Sequence, residues 1–305
     1  MAPDGTLWLT TEQGLCHFDG QRCEFHPGAL GPGAGGISAL VVTPDGTVWA
    51  GSQVGVRRFD GETWVDTGLT AATNDLVGSA SGEVWAATGA GVARTRPGQG
   101  AWQIYGQAEG LSGTQAVAIG AGPNGEAWTA IAWEGLYRLD GERWRPVEDP
   151  PGGLTGALEV SADGTLWAGT VGSLHYPGGS LAYGDGQAWT DVSSQAGLTS
   201  IRAIALGPGA VVAAATQRGL GLYEAGGWRL LRDGPASDRV GSVAVTPDGA
   251  AWFAFGDQSL STMGSGLSRF DGEGWDYFLD DAEVGALAVA PDGALWAGSG
   301  CQVQR

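Results

Sequence analysis

One six-residue phrase recurs along the chain, and it constrains the fold more than any other feature. Pro3-Asp4-Gly5-Thr6-Leu7-Trp8 returns as Pro44-Asp45-Gly46-Thr47-Val48-Trp49 and as Ala162-Asp163-Gly164-Thr165-Leu166-Trp167. It returns again as Pro247-Asp248-Gly249-Ala250-Ala251-Trp252 and Pro291-Asp292-Gly293-Ala294-Leu295-Trp296. Weaker copies end at Trp85 and Trp128, and a degenerate one puts Val212 in the Trp place. The eight anchors lie 41, 36, 43, 39, 45, 40 and 44 residues apart. A period of about 40 residues with turn signals and β-branched runs fits one four-stranded blade of a propeller.

Repeat 2 shows the strands of one period. Residues 37–43 (ISALVVT) form an apolar, β-rich strand A, and Pro44-Asp45-Gly46 a tight turn. Strand B is 47–52 (TVWAGS) and strand C is 55–59 (GVRRF), led by glycine. Asp60-Gly61 is a strong hairpin signal, and 62–66 (ETWVD) is strand D. Nothing sustains a helical period, so helix is expected for under about a tenth of the chain. Seven Trp stand at the strand B anchor and six at the strand D place (Trp64, Trp102, Trp144, Trp189, Trp228, Trp275). Position therefore makes thirteen of the fourteen structural, packed between neighbouring blades. The odd one is Trp133.

The pattern PDGTxW, a glycine-led strand C and then RFDGxxW resembles the two-component regulator propeller repeat. Glu109-Gly110-Leu111-Ser112 and Ala196-Gly197-Leu198-Thr199 match that family's "GL" stretch before strand A. The resemblance covers nearly the whole chain. It implies an all-β, closed β-propeller of four-stranded antiparallel blades, and the extracytoplasmic sensor domain of a bacterial signalling protein, several of which are associated with glycans. Such a domain would be periplasmic or extracellular. The chain shows no transmembrane helix, kinase segment or immunoglobulin-like tail beside the propeller.

Residues 1–305 read as a single propeller domain, both ends cropped within a repeat. Two closures compete. In one, the strand at Val284 joins repeat 1 and gives seven blades, orphaning 294–304. In the other, both terminal repeats make short blades and the ring has eight. Eight is preferred, because it leaves no apolar strand unburied.

Charge narrows the partners. The net charge is −18, and all 15 basic residues are Arg. That argues against nucleic acid and against an anionic membrane surface. No run of 18 or more apolar residues exists, so membrane insertion is not expected. The N-terminus lacks the basic stretch and apolar core of a signal peptide.

Strands A–B and C–D join at one face of the ring, B–C and D–A at the other. Asp45, Asp60, Asp163, Asp248, Asp271 and Asp292 lie in tight turns that demand Asp-Gly chemistry, and no Asp-x-Asp-x-Asp ladder makes them a calcium array. Length varies on the opposite face, where insertions fall at 171–179 (VGSLHYPGG) and 256–266 (GDQSLSTMGSG). Insertions on one face of a repeat protein mark a binding face. The candidate ligand-binding residues are therefore Trp133 and Glu134, His175 and Tyr176, Gln217 and Arg218, and Asp257 and Gln258. An aromatic beside hydrogen-bonding groups suits a glycan or another small polar ligand. A ligand is expected on this rim and not on the Asp-Gly face. Plainer readings stand beside it: the Gly/Ser-rich loops are inert, Trp133 folds down as local packing, and a lone loop His is simply solvated.

With Asp19-Gly20 as a two-residue turn, Cys16 faces Cys23, and a cross-strand disulfide is conceivable. Three Cys give neither a disulfide scaffold nor zinc spacing. Three scattered His and no converging His/Glu pair argue against a propeller lyase or lactonase. No catalytic residue, metal or cofactor is expected. A non-catalytic sensing module leads, and a scaffold for a protein partner is the alternative.

Overall fold

The computed structural model describes residues 6–11, 14–19, 22–26, 36–148, 152–172, 179–193, 198, 200–208, 211–216, 219–224, 227–231, 240–255, 266–278, 284–289, 295–299 and 302–304. These residues form eight antiparallel sheets, each made of consecutive strands. Sheet 1 holds Leu7–Thr11, Gly14–Phe18 and Cys23–His26, in the places of strands B, C and D. Sheet 2 holds Ile37–Val42, Val48–Ser52, Gly55–Phe59 and Trp64–Asp66. Sheet 3 holds Thr73–Gly78, Val84–Thr88, Gly91–Thr95 and Gln103–Tyr105. Sheet 4 holds Ala116–Ala121, Ala127–Ile131, Gly135–Asp140 and Arg143–Pro146. Sheets 5, 6 and 7 repeat the four-strand order from Leu154–Val160, Ile201–Leu206 and Val240–Val245. Sheet 8 has Val284–Val289, Leu295–Ser299 and Gln302–Gln304. The strand at Val284 thus pairs with Leu295–Ser299 in its own sheet. Helix is nearly absent among the described residues; Gln107–Glu109 is a 3₁₀ turn.

The chain divides into two compact units, the first chiefly sheets 1 to 4 and the second chiefly sheets 5 to 8. In the first, strand A of sheet 2 packs on strand A of sheet 3, and that on strand A of sheet 4. In the second, the A strands of sheets 6, 7 and 8 follow one another likewise. Six A strands carry a bulge at their second residue: Ser38, Asn74, Val117, Arg202, Gly241 and Gly285. A bulge bends the strand and adds local twist. Two of these residues tie sheets together, since Ser38 Oγ donates to the Thr73 carbonyl and Asn74 Nδ2 to the Ala116 carbonyl.

The tryptophans pack as their positions predict. Four strand B Trp meet the strand D Trp of the next sheet edge-on, at centroid distances of 5.9 Å (Trp8–Trp64), 5.8 Å (Trp49–Trp102), 6.1 Å (Trp85–Trp144) and 6.0 Å (Trp167–Trp228). Edge-to-face pairs set the positive ring edge on the negative ring face.

The Asp-Gly turns are self-contained. Thr43 Oγ1 donates to Asp45, Asp45 accepts the Thr47 N–H, and Gly46 takes φ +86°. Ser161–Asp163–Thr165 and Thr246–Asp248–Ala250 repeat the arrangement. The hydroxyl two residues earlier is the main cause that holds the Asp45, Asp163 and Asp248 carboxyls below their ordinary pKa. The glycine opening strand C also has a reason. Gly91 sits at φ +118°, where a Cβ would lie 2.2 Å from the Tyr105 carbonyl oxygen. Only glycine fits both the dihedral and the approach.

The first hairpin departs from its expected register. Cys16 opposes Phe25, and Phe18 opposes Cys23. Asp19 accepts the Arg22 N–H at 2.7 Å, and Asp19 N–H donates to the Arg22 carbonyl. These bonds close the turn on Asp19 and Arg22, one position later than the expected Asp19-Gly20 turn. Cys16 is disulfide-bonded; the Cys23 side chain, and all of Cys301, lie outside the described residues.

Candidate functional site

Of the eight candidate residues, Trp133 and Glu134 are described. His175, Tyr176, Gln217, Arg218, Asp257 and Gln258 lie outside the described residues. Trp133 stands in the B–C turn of sheet 4, between Ala127–Ile131 and Gly135–Asp140. In sheets 2 and 3 that turn holds two residues, with Ser52 opposite Gly55 and Thr88 opposite Gly91. In sheet 4 Ile131 opposes Gly135, which leaves three. The extra residue pushes Trp133 to φ +67°. A bulky side chain in the left-handed region costs roughly 1–2 kcal/mol, and such strain concentrates at functional sites.

The indole of Trp133 is 79% exposed. The local-packing reading of Trp133 therefore fails. Its neighbour is held. The Tyr137 hydroxyl lies 2.5 Å from Ser112 Oγ, and Ser112 Oγ donates to Glu134 Oε2 at 2.9 Å. Since Ser112 has one proton and gives it to Glu134, Tyr137 donates to Ser112. The carboxylate is thus oriented by a two-step chain rooted in a buried tyrosine. A flat apolar face beside a fixed acceptor can stack on a sugar ring and take a proton from one of its hydroxyls.

Sequence reasoning missed a second set of residues. Across the sheet from three of the strand B Trp, strand C places a cation over the ring. Arg94 lies 4.6 Å from Trp85, Arg138 5.0 Å from Trp128 and Arg269 5.8 Å from Trp252. The signal was the spacing Trp49 to Arg58 and Trp85 to Arg94, which the cross-strand register explains. Sheet 1 uses His17 in this place, stacked 4.5 Å from Trp8.

His17 belongs to a cavity of about 550 Å³ between sheets 1 and 2, on the Asp-Gly side. Glu24, His26, Phe59 and Glu62 also line it, with the turn at Asp45. His17 Nε2 lies 2.8 Å from Thr6 Oγ1. The His26 Nε2 atom is buried without a partner, and burial is the main cause that lowers its pKa, against a smaller opposing pull from Glu24. Among the described residues, no three His, Cys, Asp or Glu side chains are grouped to hold a metal ion. No described helix is long and apolar enough to cross a membrane.

No protein-family model and no curated protein matches the chain. Solved structures do. The extracellular domain assigned to a hybrid two-component system of B. thetaiotaomicron aligns over 98% of this chain and 49% of its own, with 15% identity and a TM-score of 0.62. A second such domain from that organism aligns over 99% and 49%, at 13% identity and a TM-score of 0.59. The chain spans about half the length of these sensor domains. A catalytically inactive virginiamycin B lyase of Staphylococcus aureus, solved with quinupristin, aligns over 88% of this chain and 92% of its own, at 15% identity and a TM-score of 0.63. The resemblance to the sensor propeller repeat thus holds at the level of the fold. The same fold carries a lyase, so function has to be argued from the site.

Proposed function

We propose that this chain is a non-catalytic sensing module, an eight-bladed propeller that binds a glycan or similar small polar ligand outside the cytoplasm. The observation that carries the reading is Trp133. A large aromatic is held at positive φ with most of its surface in solvent, beside a carboxylate that is itself held in place. Neither the strain nor the exposure serves the fold, since an exposed indole buries no apolar area and a strained backbone costs stability. Similarity in fold to extracellular sensor domains supports the sensing role. An oligosaccharide array on the whole chain, followed by thermal unfolding with each hit, tests it. A ligand that binds the folded state raises the melting temperature, and the rise grows with the logarithm of its concentration above Kd. An array without a hit, or hits that are chemically altered on incubation, would overturn the non-catalytic glycan reading.

A further inference from the structure

The repeats allow a comparison between sheets 3–4 and sheets 1–2 at matching positions. Between sheets 3 and 4 the strand C cation Arg94 and its neighbour Arg96 both bind Glu83, and Arg96 also reaches Glu142 of the next sheet at 3.7 Å. Gln103 Nε2 and the Tyr105 hydroxyl donate to Glu142 at 2.7 and 3.0 Å. Two guanidinium groups and two neutral donors thus fill this interface and answer its carboxylates.

Between sheets 1 and 2 the carboxylate at the Glu142 place survives, while the cations, and Glu83 whose place Thr6 takes, do not. Glu62 holds the place of Glu142, since both follow an Asp-Gly pair and stand two residues before the strand D Trp. His17 pairs with Trp8 as Arg94 pairs with Trp85. Glu24 pairs with His17 as Gln103 pairs with Arg94, so a donor has become a second carboxylate. His26 holds the place of Tyr105, and Asp19 that of Arg96. Asp45 adds a negative charge where the matching turn of sheet 4 has Asn124. Neither Glu24 nor Glu62 makes an ion pair among the described residues. What lies between them is the cavity of about 550 Å³, walled by Trp8 and Phe59, whose ring centroids are 5.1 Å apart.

We infer that this cavity binds a guanidinium group brought by a ligand, seated beside His17, which itself takes the place of Arg94 over the strand B Trp. The carboxylates of Glu24 and Glu62 accept its N–H groups in charge-assisted hydrogen bonds. Phe59 and the indole of Trp8, one face of which His17 covers, line the same cavity, and aromatic rings attract such a cation. This site lies on the Asp-Gly side and is separate from Trp133, so it stands or falls independently of the sensing reading.

Calorimetric titration of the whole chain tests it with Nα-acetyl-arginine amide, agmatine and Nα-acetyl-citrulline amide. Citrulline keeps the shape and removes the charge. Both guanidines are expected to bind at least about tenfold more tightly than citrulline. A preference for acetyl-arginine amide over agmatine marks a peptide source, and the reverse a free guanidine. Glu62→Gln is expected to weaken binding about tenfold or more, and His17→Arg, which supplies a resident guanidinium, to abolish it. Trp133→Ala is expected to leave it unchanged. Thermal unfolding of each variant confirms that it is folded. Absence of binding by both guanidines, equal binding of citrulline, or unchanged affinity in Glu62→Gln would overturn the inference.

Discussion

Trp128 and Trp133 belong to one hairpin and live in opposite surroundings. Trp128 is fully buried, with Arg138 over its face. Trp133 is exposed and sits on a left-handed backbone. One indole is explained by what it packs against. The other lies mostly in solvent and strains the turn that carries it. The same residue type thus marks the scaffold in one place and a surface feature in the other, and burial decides between them.

The contrast is broken most strongly from the buried side. Trp128→Ala is expected to cost roughly 3–5 kcal/mol, because it removes a filled aromatic site; urea denaturation checks this, and a cost below about 1 kcal/mol would mean that sheet 4 does not rest on that ring. Gly91→Ala is expected to cost about 1–3 kcal/mol from the backbone alone, with the Tyr105 carbonyl adding a clash. Trp133→Gly is expected to act in the other direction. Relief of a left-handed side chain, roughly 1–2 kcal/mol, exceeds the roughly 0.5–1 kcal/mol that glycine loses to entropy, so the variant becomes slightly more stable while it binds ligand more weakly.

Acid sharpens the contrast within the turns. The Asp45, Asp163 and Asp248 carboxyls have lowered folded-state pKa values. Their stabilisation is complete above the unfolded value near about 4 and is lost as pH falls through the lower folded value. All three are largely solvated, so each contributes at most a few tenths of a kcal/mol, roughly as an exposed pair does. Asp75 runs the opposite way. Burial raises its pKa, against hydrogen bonds from the Ile119 and Leu76 N–H groups. Its contribution favours folding below about pH 4 and is lost as pH rises through the folded value. Melting temperatures across the acid range are expected to fall less steeply in the Thr43→Ala, Thr246→Ala double variant, which removes two of the donors. An unchanged slope would contradict the hydroxyl as cause. The smallest effect belongs to Arg145→Ala, whose exposed pair with Asp140 is worth about 0–0.5 kcal/mol.

Much of the fold was legible because each repeat writes its constraints into a few residue types. Asp must accept the turn N–H, glycine must take positive φ, and Trp must fill the space between sheets. The A-strand bulges were not legible, since Ser38, Asn74, Val117, Arg202, Gly241 and Gly285 share no chemistry that would announce them. The first hairpin was misread because Asp19-Gly20 signals a turn centred on those two residues, while the bonds between Asp19 and Arg22 close it one position later. At the candidate site, the odd Trp was visible as a break in the repeat. Its exposure was not, because exposure depends on the one extra turn residue and on what the neighbouring strands leave uncovered. The cavity beside Trp8 was hidden for the same reason. His17, Glu24 and Glu62 are unremarkable in sequence until their partners in the sister interface are known.

The most direct test is a titration of an array-selected oligosaccharide into the wild-type chain and into Trp133→Ala, with thermal unfolding of both. Loss of one stacking face is expected to weaken binding by about 1–3 kcal/mol, or roughly 5- to 150-fold, with no loss of melting temperature. Equal affinity in the two proteins would contradict a binding role for the exposed indole and send the search for the sensing site elsewhere on the molecule.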